Sequence, residues 1–412
     1  MEDQNTILMH EAVERETKRT TYPETFPALP EVPIGRYFEQ AFYDLEIQHV
    51  WRKTWLSVAH TTELPDPGSY KLFEQFGLSV IISRGVDNQI RAFHNICRHR
   101  GAALVLEPKG TARRFICPYH AWGYNTDGKL ASVPESHNFA RLDKAEHPLK
   151  QIRCEIWRGF ILINLDNNCG SAAEFMAPVA KQVADFPIED MVVKDVITLE
   201  APCNWKTAYD NFLEIYHVNS VHPKSLAPYL DAKSFSVSLL KNGHGRFATR
   251  KRASETSASA GVLGMNDGVA EPAGFTGRFK EHTLGLPFFP NGTVVIDPAG
   301  FAWQTFWPAG PGKVIIVAAL MGWRKEGAAE IAADREFWAQ MRVSHIDLLN
   351  EDLRLFGRLQ RSMETGELPK ILLGYQEQQI YWYNEEVDRK IGAENIPEHL
   401  RIKQVLSGHA LE

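Results

Sequence analysis

Two cysteine–histidine pairs in the stretch Ile96–Tyr124 have the residue types and the spacing of metal ligands. Cys97 and His99 form a Cys-x-His pair, Cys117 and His120 form a Cys-x-x-His pair, and 17 residues separate the two pairs. Each pair can hold one side of a metal centre from the tip of a hairpin loop. A structural zinc site with two cysteines and two histidines is one interpretation. A two-iron, two-sulfur cluster is the other, and the mixed pairing favours it because zinc fingers usually pair Cys with Cys and His with His.

A second pair of histidines lies in the segment "NWKTAYDNFLEIYHVNSVHP", residues 204–223. His217 and His222 are five residues apart, and Glu214 lies three residues before the first of them. On a helix Glu214 and His217 share one face, whereas His222 lies about 140° away. Both histidines can therefore reach one metal ion only if the helix distorts or ends, and Pro223 supplies a stop. Taken alone, two histidines at this spacing are more often structural or surface residues.

The segment "SHIDLLNEDLRLFGRLQRSM", residues 344–363, contains three acids that could supply a third ligand if His217 and His222 hold a metal ion. Non-heme Fe(II) sites that bind O₂ use two histidines and one carboxylate and leave open positions on the metal. The apolar face of this helix consists of Ile346, Leu349, Leu353 and Phe356. Asp352 lies about 80° from the centre of that face, Asp347 lies beyond it, and Glu351 lies on the opposite side. We predict that Asp352 points inward rather than forming a solvated acidic shoulder. His345 shares that flank two turns earlier, and we expect a surface histidine there, with a supporting role next to the metal ligands as the alternative.

The predicted elements that carry these residues differ along the chain. Between about residues 50 and 165, Gly, Asp-Gly and Asn turns separate short strand-like segments, which predicts an all-β module. After this region, helical stretches over 171–186 and 335–363 bracket strands such as "GTVVID" and "KVIIVAALMGW". A further helix is predicted over 38–55. The Ser-, Ala- and Gly-rich residues 251–275 are predicted to form a long mobile loop.

Composition narrows the classes of protein that this chain can be. The 412 residues, of which 44% are hydrophobic, provide room for two or three domains. A net charge of -6 argues against binding to nucleic acid or to an anionic membrane. The N-terminus is too charged for a signal peptide, and the longest apolar run is about half a membrane span. Five cysteines at irregular spacing do not form a disulfide framework, so we expect a cytoplasmic protein.

The motif segments resemble the Rieske non-heme iron oxygenases, specifically the alpha (terminal oxygenase) subunits of the aromatic ring-hydroxylating dioxygenase type. "CRHRGAAL" and "CPYHAWGYNTDGKL" resemble the loops that bind the Rieske cluster. The resemblance implies a [2Fe-2S] cluster in which Cys97 and Cys117 hold one iron and His99 and His120 hold the other. Such ligation raises the reduction potential above that of clusters bound by four cysteines.

The resemblance extends to a mononuclear iron site. "NWK", "DNFLE" and "YH" are similar to the family's iron-binding segment, and "NED" followed by "LQ" is similar to its carboxylate-ligand helix. This implies that His217, His222 and Asp352 hold mononuclear Fe(II), with O₂ as co-substrate. It also implies that Glu214 bridges the two metal centres across a subunit boundary, by a hydrogen bond to His120 of the partner subunit.

The resemblance covers roughly residues 36–390 and implies an α+β architecture. An all-β Rieske domain at 46–168 is expected beside a helix-grip-like catalytic domain at 169–412, in which helices flank an antiparallel sheet. Residues 1–45 are expected to form an N-terminal arm and helix that packs on the catalytic domain. Implied partners are a ferredoxin or a flavin reductase that donates electrons, and two further copies of the chain in a homotrimer, with or without beta subunits.

The substrate is not named by any motif. In aromatic-ring hydroxylases of the family the bridging acid is often Asp. Glu before Tyr-His resembles the choline, betaine and carnitine monooxygenases, which usually carry Cys where this chain has Ile215. We expect a terminal oxygenase acting on a small aromatic substrate, with a quaternary or N-methylated amine as the alternative. A Rieske protein that only transfers electrons and a zinc-stabilised binding module are rival classes.

Two further features bear on the substrate. In the segment 287–310, a strand would place Phe301, Trp303 and Trp307 on one face, either as sheet core or as a pocket wall that accepts an aromatic ring or a methylammonium group. A carboxylate on the substrate would need a cation, and four basic residues precede the predicted mobile loop. These residues are Arg246, Arg250, Lys251 and Arg252.

Overall fold

The structure, a computed structural model, describes residues 4–184, 186–252, 281–296 and 300–411. The chain divides into two compact units, one formed by Met1–Trp51 with Phe175–Glu412 and the other by Arg52–Glu174. The functional assignment of the ranges 1–45, 46–168 and 169–412 stays a prediction. The predicted mobile loop at 251–275 lies, from residue 253 onward, outside the described residues.

The larger unit contains most of the helices. Its helices, with one that begins just before the unit boundary, are α1 (Gln4–Lys18), α2 (Gln40–Glu46), α3 (Ala172–Gln182), α4 (Trp205–Asp210), α5 (Val218–Val221), α6 (Ala328–Glu364) and α7 (Gln378–Ile391). Two of the helices predicted from sequence, over 171–186 and 335–363, correspond to α3 and α6. The helix predicted over 38–55 is shorter, because α2 gives way to a π-helical turn at Ile47–Trp51.

The strands of the larger unit form an antiparallel sheet of seven strands and a small two-stranded sheet. The seven strands are β12 (Met191–Ala201), β13 (Ser236–Leu239), β14 (Gly245–Arg250), β15 (His282–Phe288), β16 (Gly292–Ile296), β17 (Gly300–Pro308) and β18 (Val314–Trp323). Their order is β12-β18-β17-β16-β15-β14-β13. The two-stranded sheet pairs β1 (Val32–Pro33) with β19 (Lys370–Ile371).

Helix α6 packs on one face of the seven-stranded sheet. Its Trp338 is buried in a cluster with Ile197 of β12, Ala302 of β17, and Ala318 and Leu320 of β18. Burial of a large aromatic ring against several aliphatic side chains stabilises such a contact by a few kcal/mol, at about 25 cal/mol per Å² of apolar surface. This packing fixes α6 relative to the sheet, so the acidic residues in its second half also have fixed positions.

The regular elements of the smaller unit are almost all strands. They are β2 (Leu56–His60), β3 (Ser69–Gln75), β4 (Leu78–Arg84), β5 (Ile90–His94), β6 (Lys109–Thr111), β7 (Arg114–Ile116), β8 (Gly123–Asn125), β9 (Leu130–Ser132), β10 (Gln151–Trp157) and β11 (Phe160–Asn164). Seven strands form an antiparallel sheet in the order β2-β11-β10-β5-β4-β3-β6, and β7-β8-β9 form a second sheet. The predicted all-β module and the α+β fold class are confirmed.

No helix among the described residues is long and apolar enough to cross a membrane. The apolar run "KVIIVAALMGW" instead forms β18, an interior strand that pairs with β12 on one side and with β17 on the other.

Candidate metal centres and active site

The two cysteine–histidine pairs lie in two turns of the smaller unit that share one backbone pattern. In the first turn the N–H of Cys97 donates to the carbonyl of Ala102 at 2.8 Å, and in the second the N–H of Cys117 donates to the carbonyl of Trp122 at 2.8 Å. The first turn follows β5 and the second connects β7 with β8. Two equivalent turns thus present the sequence-predicted ligands.

The fourth residue after each cysteine has a left-handed backbone conformation. Gly101 has φ +79° and Ala121 has φ +56°. Glycine adopts this conformation without a steric penalty, whereas alanine pays about 1 kcal/mol for it. The second turn therefore holds a strained residue directly after His120, which is a feature often found where a structure positions ligands.

Both cysteines are buried and free of disulfides, with 2% of each residue exposed. The sulfur of Cys97 lies 3.5 Å from the hydroxyl oxygen of Tyr124, which also accepts a hydrogen bond from the N–H of Arg98 at 3.0 Å. Burial raises the pKa of the Cys97 thiol, and the hydrogen bond from Tyr124 acts in the opposite direction. Such buried thiols ionise when they bind a metal, so the burial and the tyrosine hydrogen bond fit a cluster ligand.

The histidines of the two turns face each other. The ring centroids of His99 and His120 are 4.6 Å apart, and the His99 ring stacks on Trp122 with an interplanar angle of 5°. Burial lowers the pKa of His99, which favours the neutral ring that ligates metals. Its Nδ1 atom is buried and has no hydrogen-bond partner among the described residues, so a metal ion would satisfy it.

The four donors do not converge on a single point. No three of the residues Cys97, His99, Cys117 and His120 bring donor atoms within 4.8 Å of one another. The ligands of a tetrahedral zinc ion, at about 2.0–2.3 Å from the metal, lie within roughly 4 Å of one another. A cluster with cysteines on one iron and histidines on the other uses this set of donors.

In the larger unit, the side chains of His217, His222 and Asp352 converge. One donor atom from each lies within 4.8 Å of the others. The Oδ1 atom of Asp352 is 3.0 Å from Nε2 of His222 and 3.9 Å from Nε2 of His217. Asp352 is buried, with 4% of the residue exposed. Two imidazoles and one buried carboxylate match the ligand set of a non-heme Fe(II) site.

The local backbone explains how two histidines five residues apart reach one point. The helix expected through Glu214 and His217 does not form, because α4 ends at Asp210 and the next helix, α5, is a single turn over Val218–Val221. His217 directly precedes that turn and His222 directly follows it. The interruption that the sequence required for both histidines to reach one point is present, because neither histidine lies inside a helix.

Glu214 contacts the iron-site histidine of its own chain. Its carboxylate accepts hydrogen bonds from Nδ1 of His217 and from the backbone N–H of Tyr216. The first bond leaves Nε2 of His217 free to face Asp352, which is the usual way in which a carboxylate orients a ligating histidine. The further contact that the resemblance implied, with His120 of the partner subunit, stays a prediction.

The sequence reasoning missed the role of Glu351. Its Oε2 atom is 2.6 Å from Nδ1 of His222 and 2.6 Å from the hydroxyl of Ser225. Helical periodicity directed Glu351 away from the apolar core, but the segment that carries His222 covers that side of α6. The only signal in the sequence was the adjacency of two acids, Glu351 and Asp352, beside a histidine site in which each ring needs an acceptor for its second nitrogen.

A cavity adjoins His217, His222 and Asp352. Its wall is mainly apolar and includes Phe212, Ile215, Leu226, Phe247 and Leu349. Among the described residues that line it, none is a lysine or an arginine. The site thus combines a potential metal centre with a mainly apolar cavity beside it.

One expectation about the cavity was wrong, and one of two alternatives left open by the sequence is excluded. His345 is not a surface histidine, because only 6% of it is exposed and it lines the cavity. On β17 the cavity-lining residues are Ala302 and Gln304, whereas Trp303 is buried against Phe288 at a centroid distance of 4.4 Å. The aromatic face that includes Trp303 is therefore sheet core, and the pocket-wall alternative does not hold.

The basic residues before residue 253 also lie away from the cavity wall. Arg246 donates to Gln182 at 3.0 Å and to Ser238 at 2.8 Å, and Arg250 pairs with Glu14. None of the four basic residues is part of the lining. The suggestion that they receive a substrate carboxylate therefore finds no support in the geometry.

Comparison with known families agrees with both centres. The Rieske [2Fe-2S] domain model matches residues 54–152, and the model "Ring hydroxylating alpha subunit (catalytic domain)" matches residues 188–393, half of the chain. The chain belongs to the ring-hydroxylating alpha subunits of the Rieske oxygenases. The two domains of this alpha subunit imply a Rieske [2Fe-2S] cluster, mononuclear iron and O₂. The predicted family and cofactors are confirmed.

Curated relatives of this chain are named for different reactions. It is 36% identical over 208 residues to the carnitine monooxygenase oxygenase subunit of Escherichia coli K12, covering 49% of this chain and 55% of that one. It is 28% identical over 275 residues to the glycine betaine monooxygenase oxygenase subunit of Pseudomonas aeruginosa UCBPP-PA14, covering 62% and 64%. The chain thus spans less than two thirds of each. The 2-aminobenzenesulfonate 2,3-dioxygenase alpha subunit of Alcaligenes sp. is 26% identical over 347 residues, covering 81% and 84%.

Solved structures share the fold of the alpha subunit. The quaternary ammonium Rieske monooxygenase CntA superposes with a TM-score of 0.74 at 23% identity and covers 90% of this chain and 99% of its own. Naphthalene 1,2-dioxygenase from Rhodococcus sp. superposes with a TM-score of 0.73 at 18% identity and covers 95% and 99%. One fold therefore serves enzymes named for both substrate classes that the sequence left open.

Proposed function

We propose that this chain is the terminal oxygenase component of a multicomponent Rieske oxygenase, which uses O₂ to oxidise a small organic molecule. The observation that carries the proposal is the convergence of His217, His222 and Asp352 on one point at the wall of a mainly apolar cavity. Iron held there, when bound, supplies the oxygen-activating chemistry. The protein binds and orients the substrate and limits the access of water through the apolar wall.

We propose that each remaining site residue has a definite part. Cys97, His99, Cys117 and His120 hold the cluster, and the histidine ligation suits a centre that accepts electrons from a ferredoxin or flavin reductase. Glu214 orients His217 through the hydrogen bond to Nδ1. In the proposed assembly, a head-to-tail homotrimer, the Glu214 carboxylate also contacts His120 of the partner subunit.

Exposed aromatic residues beside each centre support this assembly. Tyr119 is 55% exposed and its ring centroid lies 3.7 Å from that of His120, and Tyr216, which directly precedes His217, is 72% exposed. Large exposed rings are enriched where one protein surface meets another. We infer that both surfaces are covered by a partner subunit, with the smaller unit as cluster domain and the larger unit as catalytic domain.

We propose a quaternary or N-methylated amine as the substrate, which reverses the order expected from the sequence. A cationic methylammonium group is attracted to aromatic faces, and Phe212 and Phe247 supply two rings. No lysine or arginine among the described lining residues would repel it. The relatives named for carnitine and glycine betaine support the same choice. An aromatic substrate is the second candidate, favoured by the longer match to the 2-aminobenzenesulfonate enzyme.

The proposal is tested by iron counting and a single turnover. The purified chain should contain about three irons, two in the cluster and one mononuclear. Chemically reduced protein, which requires no partner reductase, is mixed with O₂ and a panel of betaines, choline, carnitine and aromatic acids, and products are quantified.

Asp352→Ala should keep the red-brown cluster but lose the mononuclear iron and all product. The matched control is Asp347→Ala, an exposed acid on the same helix. Two irons per chain in the wild type, or no oxidised product from any member of the panel at full iron occupancy, would contradict the proposed function.

A further inference from the structure

His345 is a buried polar residue in a mainly apolar wall. It lies on α6, about two helical turns before Asp352, and lines the same cavity with 6% of its surface exposed. The adjoining lining residues of the helix are Leu348 and Leu349. Histidine is rarely buried among aliphatic side chains unless both ring nitrogens have a function or a partner. The hydrogen bonds of its two nitrogens therefore need to be accounted for.

Within the part of the chain that the structure describes, one ring nitrogen of His345 has a partner and the other has none. The amide nitrogen of Gln304, which lines the cavity from β17, lies 3.4 Å from Nε2 of His345. Burial lowers the pKa of His345 to about 4, so the ring is neutral near pH 7 and carries one proton. Because an amide N–H₂ only donates, Nε2 accepts in this contact and the proton resides on Nδ1. The Nδ1 atom is buried and has no hydrogen-bond partner among the described residues.

A buried donor without a partner is costly, and its cost is removed when a ligand supplies an acceptor. The hydroxyl of Thr283, which also lines the cavity, is likewise a buried donor without a hydrogen-bond partner among the residues described. The described wall thus contains an apolar surface with polar atoms that the protein does not satisfy. Binding sites use such polar atoms to fix the orientation of a mainly apolar ligand.

We propose that the Nδ1–H of His345 donates a hydrogen bond to an acceptor oxygen of the substrate, and that Gln304 positions the ring for this contact. His345 is thereby a specificity-determining residue for substrates that carry a carboxylate, sulfonate or hydroxyl oxygen. The inference rests on the proposed function, because it assigns the cavity to the substrate. It holds for an amine and for an aromatic substrate alike, since it concerns the oxygen-bearing end of the molecule.

The test compares pairs of compounds that differ in the acceptor oxygen. Glycine betaine is paired with ethyltrimethylammonium, and benzoate is paired with toluene. Dissociation constants are measured on iron-loaded protein from the substrate-induced change in the electron paramagnetic resonance signal of its nitric oxide complex, so that binding is read without turnover. KM and kcat are measured separately for the compound that is oxidised.

Three substitutions distinguish the two ring nitrogens. His345→Leu removes both, His345→Asn places an amide nitrogen near the position of Nδ1, and His345→Gln places one near Nε2. We expect His345→Leu to weaken binding of the oxygen-bearing compound roughly tenfold, because a buried acceptor then lacks its hydrogen bond. The affinity for the analogue without the oxygen should change less than about twofold. We expect His345→Asn to restore most of the loss and His345→Gln to restore little.

Controls separate this inference from the proposed function. Asp347→Asn, an exposed change on the same helix, should alter the dissociation constant of neither compound. All variants should keep the iron content and the cluster spectrum of the wild type. Equal weakening of both compounds by His345→Leu, no weakening of either, or rescue by His345→Gln in place of His345→Asn would overturn the role of Nδ1–H. Absence of binding and oxidation in the wild type itself would overturn the proposed function instead.

Discussion

The carboxylate of Glu351 contacts the ring nitrogen of His222 that faces away from the metal position, and the distance between Oε2 and Nδ1 is 2.6 Å. The next residue of the helix, Asp352, lies 3.0 Å from Nε2 of the same ring. Two consecutive acids on α6 therefore engage the two nitrogens of one histidine. A carboxylate on the distal nitrogen fixes the tautomer and the orientation of a ligating ring, and its loss typically lowers metal affinity about 10–100-fold.

We expect Glu351→Ala to lower the affinity for mononuclear iron by about 10–100-fold, because His222 loses the acceptor that orients it. Glu351→Gln should lose less, since its amide oxygen can still accept from Nδ1. The measurement is the iron retained against a graded chelator, with the cluster spectrum as an internal reference. Ser225→Ala is the matched control, because it removes the other hydrogen bond to Glu351 and leaves His222 paired. Unchanged retention in Glu351→Ala would show that the contact does not serve the metal.

The cluster ligands are tested by exchanging imidazole for thiolate. His99→Cys and His120→Cys should each shift the Rieske absorption and resonance signals and lower the reduction potential, because an additional thiolate raises the electron density on the second iron. Potentials are measured by spectroscopic redox titration. The exposed His137, in the same unit, provides the control His137→Cys. If both ligand variants kept the spectrum and the potential of the wild type, the assignment of these histidines would fail.

Glu214→Gln should keep both metal centres and lose most turnover. The amide preserves the size of the side chain and can still accept from Nδ1 of His217. It lacks the negative charge that is proposed to orient the imidazole of His120 of the partner subunit. In rapid-mixing experiments with a chemically reduced cluster, reoxidation of the cluster in the presence of substrate and O₂ should slow strongly while iron content stays constant. Reoxidation at the wild-type rate would remove Glu214 from the route of the electron.

A pH dependence of stability is expected from Asp210, the last residue of α4. Burial raises its pKa to about 7, although a hydrogen bond from the Tyr37 hydroxyl at 2.6 Å and the charge of Lys206 act in the opposite direction. An aspartate in the unfolded chain titrates near pH 4. Between these values the folded protein holds a proton that the unfolded chain has released, so stability falls as the pH rises from about 4 to about 7.

The free energy of unfolding of Asp210→Asn should therefore fall less than that of the wild type between pH 5 and pH 8. The difference is at most about 3 kcal/mol, because the folded wild type holds the extra proton over about two pH units, from 5 to 7, at 1.36 kcal/mol per unit. The asparagine still accepts from Tyr37. The measurement is the free energy of unfolding in urea at both pH values, with Asp347→Asn as an exposed control. Parallel curves for Asp210→Asn and the wild type would show that Asp210 does not hold the proton.

Those features of the site that depend on short-range order could be predicted from the sequence. The cysteine–histidine turns are local structures of six residues, so the spacing of Cys97 and Cys117 from their histidines already defines how the donors are presented. The inward direction expected for Asp352 followed from the 3.6-residue period of a long helix, and its burial at 4% agrees with that expectation. Both arguments need only the geometry of one element.

Other features depended on which distant segments meet. All nine residues of β17 are buried, so the strand carries no alternation of polar and apolar residues to indicate that Gln304, and not Trp303, faces the cavity. His345 was expected at the surface because helical position alone does not reveal what covers the flank of a helix. Glu351 gained its role only because the segment after α5 packs over α6 and brings His222 to it. Contacts between residues more than 100 positions apart are set by packing, and periodicity within one segment contains no information about them.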